Sequence, residues 1–364
     1  MFTVCTQCKK TNEPLAPPLG HCNCGNPISV HYSWEGQSRP IEVDLDESSL
    51  WRYESVLPPI NKRITLGEGK SPLVLIGENT YVKDETVNPT GSFKDRGMAL
   101  AISMAKAQGV ETICLPSAGN AGISAAAYCQ EAHIDCHVFL PETIPESFKK
   151  ETDRYGANLI LKGQTISDSA KAMQKRKEPD WFDISTLKEP FRVEGKKTLG
   201  YEIAEQMNWS LPDVIIYPTG GGTGLIGMWK AFKEMKGMGW ISGPLPRLVV
   251  AQSDGCEPVV KAFQAMGKST EFWNNSETIA LGLNVPGPLG GRWILETLSE
   301  CNGIAVSARE SELDELTRNF QEESSISASA ECGVVWSVYK ALEKTGWIGP
   351  KEKTILFATG IERG

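Results

Sequence analysis

Lys94 lies in the densest chemical signal of the chain, Asn88-Pro89-Thr90-Gly91-Ser92-Phe93-Lys94-Asp95-Arg96-Gly97. The Asn-Pro-Thr-Gly-Ser stretch is turn chemistry, and Gly97 to Lys106 reads as a helix. The lysine therefore falls at a loop-to-helix junction, where backbone N–H groups collect anions. Beside an apolar Phe93 and a helix N-terminus an amine loses proton affinity, and a neutral amine is what a Schiff base requires. Taken alone, such a lysine is more often a solvated surface cation. A second loop, Pro116-Ser117-Ala118-Gly119-Asn120-Ala121-Gly122, runs from a strand end into a helix. Its small residues let backbone approach a ligand, and the helix N-terminus suits a carboxylate or phosphate. A plain turn capped by Asn120 would have the same sequence. The third is Pro218-Thr219-Gly220-Gly221-Gly222-Thr223-Gly224, after an apolar strand, and it reads best as a phosphate cradle of backbone N–H groups. Gly222 to Gly227 also spells G-x-G-x-x-G, the signal of a nicotinamide-dependent oxidoreductase. The acidic residue after the next strand, Asp254, comes about 30 residues on instead of about 20, which weakens that match. Met228 stands where a Walker loop needs lysine.

The elements around these loops alternate. Apolar strands are expected at Glu111–Leu115, Asp135–Leu140, Ala157–Leu161, Trp181–Ser185, Asp213–Tyr217, Arg247–Gln252 and Thr354–Ala358. Helices are expected at Gly119–Gln130, Thr165–Lys177 and from Thr198 onward. Near-continuous apolar strands separated by helices indicate parallel sheets covered on both faces, an α/β class with more than one sheet.

The N-terminus is a unit of a different kind. Cys5-x2-Cys8 and Cys22-x-Cys24 flank a stretch with Pro14, Pro17, Pro18 and Gly20. Two tight pairs of thiolates are what a tetrahedral zinc site needs, so Cys5, Cys8, Cys22 and Cys24 are the expected ligands. The second pair is one residue short of the usual spacer, and the adjacent His21 offers a substitute; a metal-free knuckle is the plain alternative. The other six cysteines lie in apolar contexts and read as reduced thiols of a cytoplasmic protein. The composition, 364 residues with 40% hydrophobic and 23% charged, is that of a globular protein. A net charge of −8 argues against nucleic acid and anionic lipid as main partners. No apolar run approaches the ~18 residues of a membrane helix, and Met1-Phe2-Thr3-Val4-Cys5 lacks the features of a secretory signal.

In this order, the Gly-Ser-Phe-Lys-Asp-Arg-Gly lysine, the Ser-x-Gly-Asn loop and the glycine-rich loop resemble the fold-type II pyridoxal-phosphate enzymes, and within them the threonine synthase family. Leu50–Tyr53, Leu66–Leu73, Ser117–Tyr128, Arg192–Leu199 and Asp213–Phe232 add to the likeness. The resemblance implies a two-lobed fold: 1–35 a Cys-rich zinc-ribbon-like segment, 36–97 with 186–364 a large cofactor-binding domain, 98–185 a smaller α/β domain. It implies Lys94 as the Schiff-base lysine, Asn120 facing the cofactor's 3-oxygen, and Ser117, Ala118, Gly119, Asn120 and Ala121 receiving the substrate carboxylate. Gly220, Gly221, Gly222, Thr223 and Gly224 would hold the cofactor phosphate. Thr359 would stand near the pyridine nitrogen, and Arg192, on a loop between the lobes, would bind the substrate phosphate. The implied reaction converts O-phosphohomoserine and water to threonine and phosphate, with a homodimer as the expected assembly. A rival keeps the cofactor but performs β-elimination or β-replacement on phosphoserine, serine or threonine. Three departures bear on the substrate: Ala118 stands for a common threonine, Ser324–Gly333 differs from the usual pattern, and Ile361-Glu362-Arg363 follows Thr359-Gly360 where Ser-Gly-Leu-Lys is usual.

Overall fold

The computed structural model describes residues 1–12 and 20–363. Pro14, Pro17 and Pro18 of the cysteine segment lie outside the described residues. Along the chain come β1 (Phe2–Cys5), β2 (Thr11–Asn12), β3 (Ile28–His31), β4 (Leu73–Leu75), β5 (Thr80–Asp84), α1 (Lys94–Ala107), β6 (Thr112–Pro116), α2 (Asn120–Ala132), β7 (Asp135–Leu140), α3 (Glu146–Arg154), β8 (Asn158–Leu161), α4 (Ile166–Arg176) and β9 (Phe182–Asp183). Then follow α5 (Phe191–Lys196), α6 (Thr198–Gln206), β10 (Val214–Pro218), α7 (Thr223–Met238), β11 (Arg247–Ser253), α8 (Pro258–Gln264), α9 (Gly291–Glu300), β12 (Ile304–Ala308), α10 (Leu313–Ser324), α11 (Glu331–Lys344) and β13 (Thr354–Ala358).

Three sheets result. β2-β1-β3 is a small antiparallel sheet at the N-terminus. The largest sheet has the order β12-β11-β10-β13-β5-β4, parallel except for the edge pair β4–β5. The third, β8-β7-β6-β9, is wholly parallel. Burial explains the strand sequences. Every residue of β10 and β13 is buried, as expected of central strands covered on both faces, whereas the edge strand β8 is half-exposed. In α10 the buried residues Leu313, Thr317, Phe320 and Ser324 recur at three- and four-residue spacing and form a single inward stripe. By contrast, α1 is buried for most of its length because it packs between α2 and α5.

Two clusters hold the start of α1. Arg96 is fully buried and reaches Glu85 (Nε–Oε2 2.7 Å) and Glu202 (Nη2–Oε1 2.8 Å), and Lys83 joins Glu202 at 2.6 Å. Asp95 accepts from Thr90 N (2.7 Å), Thr90 Oγ1 (2.5 Å) and Ser124 Oγ (2.6 Å). Lys94 is thus fixed by its two neighbours, both turned into the protein.

Candidate active site

The carboxyl ends of β6, β10 and β13 converge on one cavity of about 440 Å³, the usual place for a ligand in an open α/β sheet. Ser117 follows β6, Thr219 follows β10 and Thr359 follows β13. The cavity brings together Lys94, Ser117, Ala118, Gly119, Asn120, Ala121, Arg192, Gly220, Gly221, Gly222, Thr223, Gly224 and Thr359. Three loops far apart in sequence therefore share one space.

Lys94 begins α1, three residues earlier than the pattern predicts, with Nζ 4.0 Å from the centre of the Phe93 ring. Burial lowers its pKa to about 8; Glu331 works against this, and Arg192 adds to it. The amine is thereby moved towards the neutral form that acts as base and nucleophile.

The Ser117 hydroxyl organises its loop, accepting from Gly119 N at 3.1 Å and Gly122 N at 2.9 Å. Asn120 does not cap its helix. It is the first residue of α2, and its Oδ1 accepts from Arg363 Nε at 2.9 Å. In the glycine loop, Gly222 has φ +77° just before α7. A Cβ on Gly220 would stand 2.6 Å from the Gly282 carbonyl. Only glycine allows both the turn and the close approach. Lys196 Nζ donates to Thr223 Oγ1 at 2.7 Å, placing an amine at this helix N-terminus.

Arg192 corrects the sequence reading in one respect. It lies on a helix, α5, and not on a loop, and the strand expected over Trp181–Ser185 is only Phe182–Asp183. The short strand leaves the Ile184 carbonyl free to accept from Arg192 Nη1 at 2.9 Å. The guanidinium is buried, and its Nε has no hydrogen-bond partner. Burial pushes the Lys196 amine well below the usual lysine range, with Arg192 and Lys94 pushing the same way. Lys196 was not read as a site residue from sequence, where it is one of several basic residues between Lys188 and Lys197; its i, i+4 spacing from Arg192 on one helix was the available signal. Tyr217, Asn284, Ser329, Glu331 and Arg363 also line the cavity; none was read as a site residue, although the last three lie in the two stretches noted as departures.

Several polar atoms here are prepared for a ligand. Tyr217 Oη, Asn284 Oδ1, Ser329 Oγ and Arg192 Nε are buried and unpartnered. Such groups are costly unless something bound satisfies them. Together with the lowered Lys94 and the N–H cradle, they fit an aldehyde cofactor bearing a phosphate.

The chain matches the family described as pyridoxal-phosphate dependent enzyme over residues 64–360. It belongs to that family. The Gly222–Gly227 pattern is accordingly not a nicotinamide signal. Among named relatives, the threonine synthase of Methanocaldococcus jannaschii is 31% identical, with 99% of this chain and 92% of that protein covered. The threonine synthase of Methanosarcina acetivorans is 28% identical over 93% and 85% of the two chains. Among solved structures, a fungal L-serine ammonia-lyase from Rhizomucor miehei has a TM-score of 0.72 at 17% identity, covering 83% of this chain and 96% of that one. The processed threonine deaminase isoform 2 of Solanum lycopersicum has a TM-score of 0.67 at 19% identity, covering 92% and 95%. These structures share the fold-type II architecture with this pyridoxal-phosphate enzyme.

At the N-terminus, the Sγ atoms of Cys5, Cys8, Cys22 and Cys24 lie within 4.8 Å of one another, and His21 is not in the group. Backbone N–H groups of Gln7 and Cys8 donate to Cys5 Sγ, each at 3.4 Å. Folding has therefore gathered four thiols in the space of one ion.

Proposed function

We infer that this pyridoxal-phosphate enzyme is a threonine synthase, converting O-phosphohomoserine and water to threonine and phosphate. The observation that carries the reading is the pair of basic side chains that α5 turns into the cavity. Lys196 is tied to Thr223 at the glycine loop, while Arg192, one turn earlier on the same helix, keeps a buried Nε without a partner. A site with places for two phosphates suits a phosphorylated substrate beside a phosphorylated cofactor. The threonine synthases it resembles over most of its length support the same reaction.

Bound in the cavity, the cofactor would supply an electron sink for negative charge at the substrate's Cα. Gly220–Gly224 would hold its phosphate, Thr359 would stand at its ring nitrogen, and Asn120 would face its 3-oxygen. Ser117–Ala121 would receive the substrate carboxylate on backbone N–H groups at the start of α2. Lys94 removes the Cα proton and then the Cβ proton, both within the swing of one side chain. Loss of the second proton accompanies departure of phosphate from Cγ, and Arg192 binds that phosphate as it leaves. A proton then returns to Cγ, water adds at Cβ, and a proton returns to Cα, so that the two protons Lys94 removed are given back.

The same reading divides the chain into a Cys-rich segment (1–35), a large domain (36–97 and 186–364) and a smaller one (98–185). Strand membership supports it, since the four-stranded sheet falls wholly within the last range, while α1 straddles the 97/98 boundary. We also propose a structural zinc on the four clustered cysteines, supported by their gathered sulfurs. Action in the cytoplasm, in keeping with ten free thiols, and assembly as a homodimer complete the proposal.

The test is product analysis of cofactor-loaded protein given O-phosphohomoserine, O-phosphoserine, serine and threonine separately. Threonine and phosphate formed from phosphohomoserine are expected. Turnover of phosphoserine or serine with none of phosphohomoserine would establish the β-elimination or β-replacement rival instead.

A further inference from the structure

Beyond β13, Ile361, Glu362 and Arg363 run along the cavity and help to line it. Ile361 N donates to the Gly91 carbonyl at 2.9 Å, and Ser147 Oγ donates to the Arg363 carbonyl at 2.7 Å. The segment is thus fastened on one side beside Lys94 and on the other to α3. From this strap the Arg363 side chain turns into the cavity. Nε donates to Asn120 Oδ1 at 2.9 Å, Nη2 donates to the Thr90 carbonyl, and the guanidinium carbon lies 5.9 Å from the centre of the Phe148 ring.

This arrangement uses only part of the donor fork. A guanidinium has five N–H groups, and among the described residues both on Nη1 are without a partner. The acidic groups acting on it are Glu151 and Asp95, and neither forms an ion pair with it. Asp95 is already engaged by Thr90 and Ser124. A half-buried, unneutralised cation with free donors, held by two bonds beside the N-terminus of α2, is a preset anion site. Its partners differ from those of the α5 pair, since it contacts Asn120 and Phe148 while Arg192 contacts Ile184 and Lys196 contacts Thr223.

We propose that Arg363 is a substrate-binding residue that pairs with the α-carboxylate of the amino-acid substrate, supplementing the backbone N–H groups of Ser117–Ala121. Its bond to Asn120 Oδ1 also turns the Asn120 amide so that Nδ2, its donor end, remains available. The proposal rests on an amino acid occupying the cavity, and not on which amino acid it is.

The experiment measures equilibrium binding to the cofactor-loaded protein by the absorbance change of the cofactor. Two probes are used: the phosphonate isostere of phosphohomoserine, in which CH2 replaces the bridging oxygen so that no phosphate can leave, and its decarboxylated analogue. Arg363→Ala is expected to weaken the first probe about tenfold or more and the second less than about twofold. Arg363→Lys restores charge without the fork and is expected to fall between. Arg192→Ala is expected to weaken both probes alike, since both keep the phosphonate. Serine binding should also weaken in Arg363→Ala, a readout that survives even if phosphohomoserine is not the substrate. Unchanged binding of both probes and serine in Arg363→Ala would overturn the proposal. So would equal weakening of the two probes, which would mark Arg363 as a structural tie between strap and lobe.

Discussion

The role proposed for Lys94 needs a neutral amine at a pH where lysine is ordinarily charged. At pH 7.5 an ordinary lysine is roughly 0.1% neutral, whereas an amine with a pKa of about 8 is roughly a quarter neutral. Burial produces that shift, and the nearby Arg192 adds to it. On the role proposed for Lys94, the neutral form would attack the cofactor aldehyde, so lowering the pKa makes that form available at lower pH. Stopped-flow loading of the cofactor-free protein should therefore give a rate that rises with pH and levels off above about pH 8, and Lys94→Ala should abolish the absorbance change. A rate still climbing through about pH 10 would show an unperturbed amine. The residues that frame Lys94 could be named from sequence because they are contiguous with it. Arg363 could not, since its partners Asn120 and Thr90 are 243 and 273 residues away.

At the scale of elements, the glycine loop joins β10 to α7 and leaves no room at Gly220. An added Cβ would meet the backbone oxygen of Gly282, whereas at Gly221 it would meet Thr186 Cγ2 at 2.8 Å, a side chain able to turn away. Gly220→Ala should weaken cofactor retention in equilibrium dialysis about tenfold or more, and Gly221→Ala should weaken it less. The circular dichroism of both variants should match the parent, because the strand and the helix on either side are untouched. The sequence shows the four glycines, but the difference between them is set by a segment some 60 residues later. The same limit appears at α5. Sequence reasoning saw a basic loop there, because the stretch lies between the apolar run Trp181–Ser185, read as a strand, and the helix expected from Thr198. Tertiary packing against α1 overrides that local preference, and Arg192 and Lys196 consequently share a helical face.

For the whole molecule, the N-terminal sheet is attached to the large sheet's helices through buried polar contacts. Tyr32 donates to Glu194 Oε2 at 2.6 Å, Lys230 donates to the Val30 carbonyl, and Lys197 Nζ lies 4.3 Å from the centre of the Tyr32 ring. These ties lie outside the cluster of sulfurs. If the four cysteines hold zinc, chelation under reducing conditions should release one ion per chain, with hydrogen-exchange protection lost in β1–β3 first. Cofactor absorbance should be retained, because Lys94 and the glycine loop belong to elements that do not pass through the small sheet. Absence of zinc from freshly purified, reduced protein would leave the cluster a metal-free knuckle.

What the sequence determined by itself was local chemistry and its order: a lysine at a helix start, two anion loops, two pairs of cysteines, and the alternation of apolar strands with helices. Each is a property of contiguous residues, where turn propensity, helix polarity and hydrophobic period act over a few positions. Some elements were not read: β4, β5 and β12, and the helices α3 and α8 to α11, although α10 carries its buried residues at helical spacing. Only the tertiary structure decided that the ends of β6, β10 and β13 meet in one cavity, that Arg192 is buried with a free donor, and that Arg363 crosses to Asn120. Those are long-range juxtapositions, and the pKa of a buried cation depends on the charges and low dielectric that folding places around it.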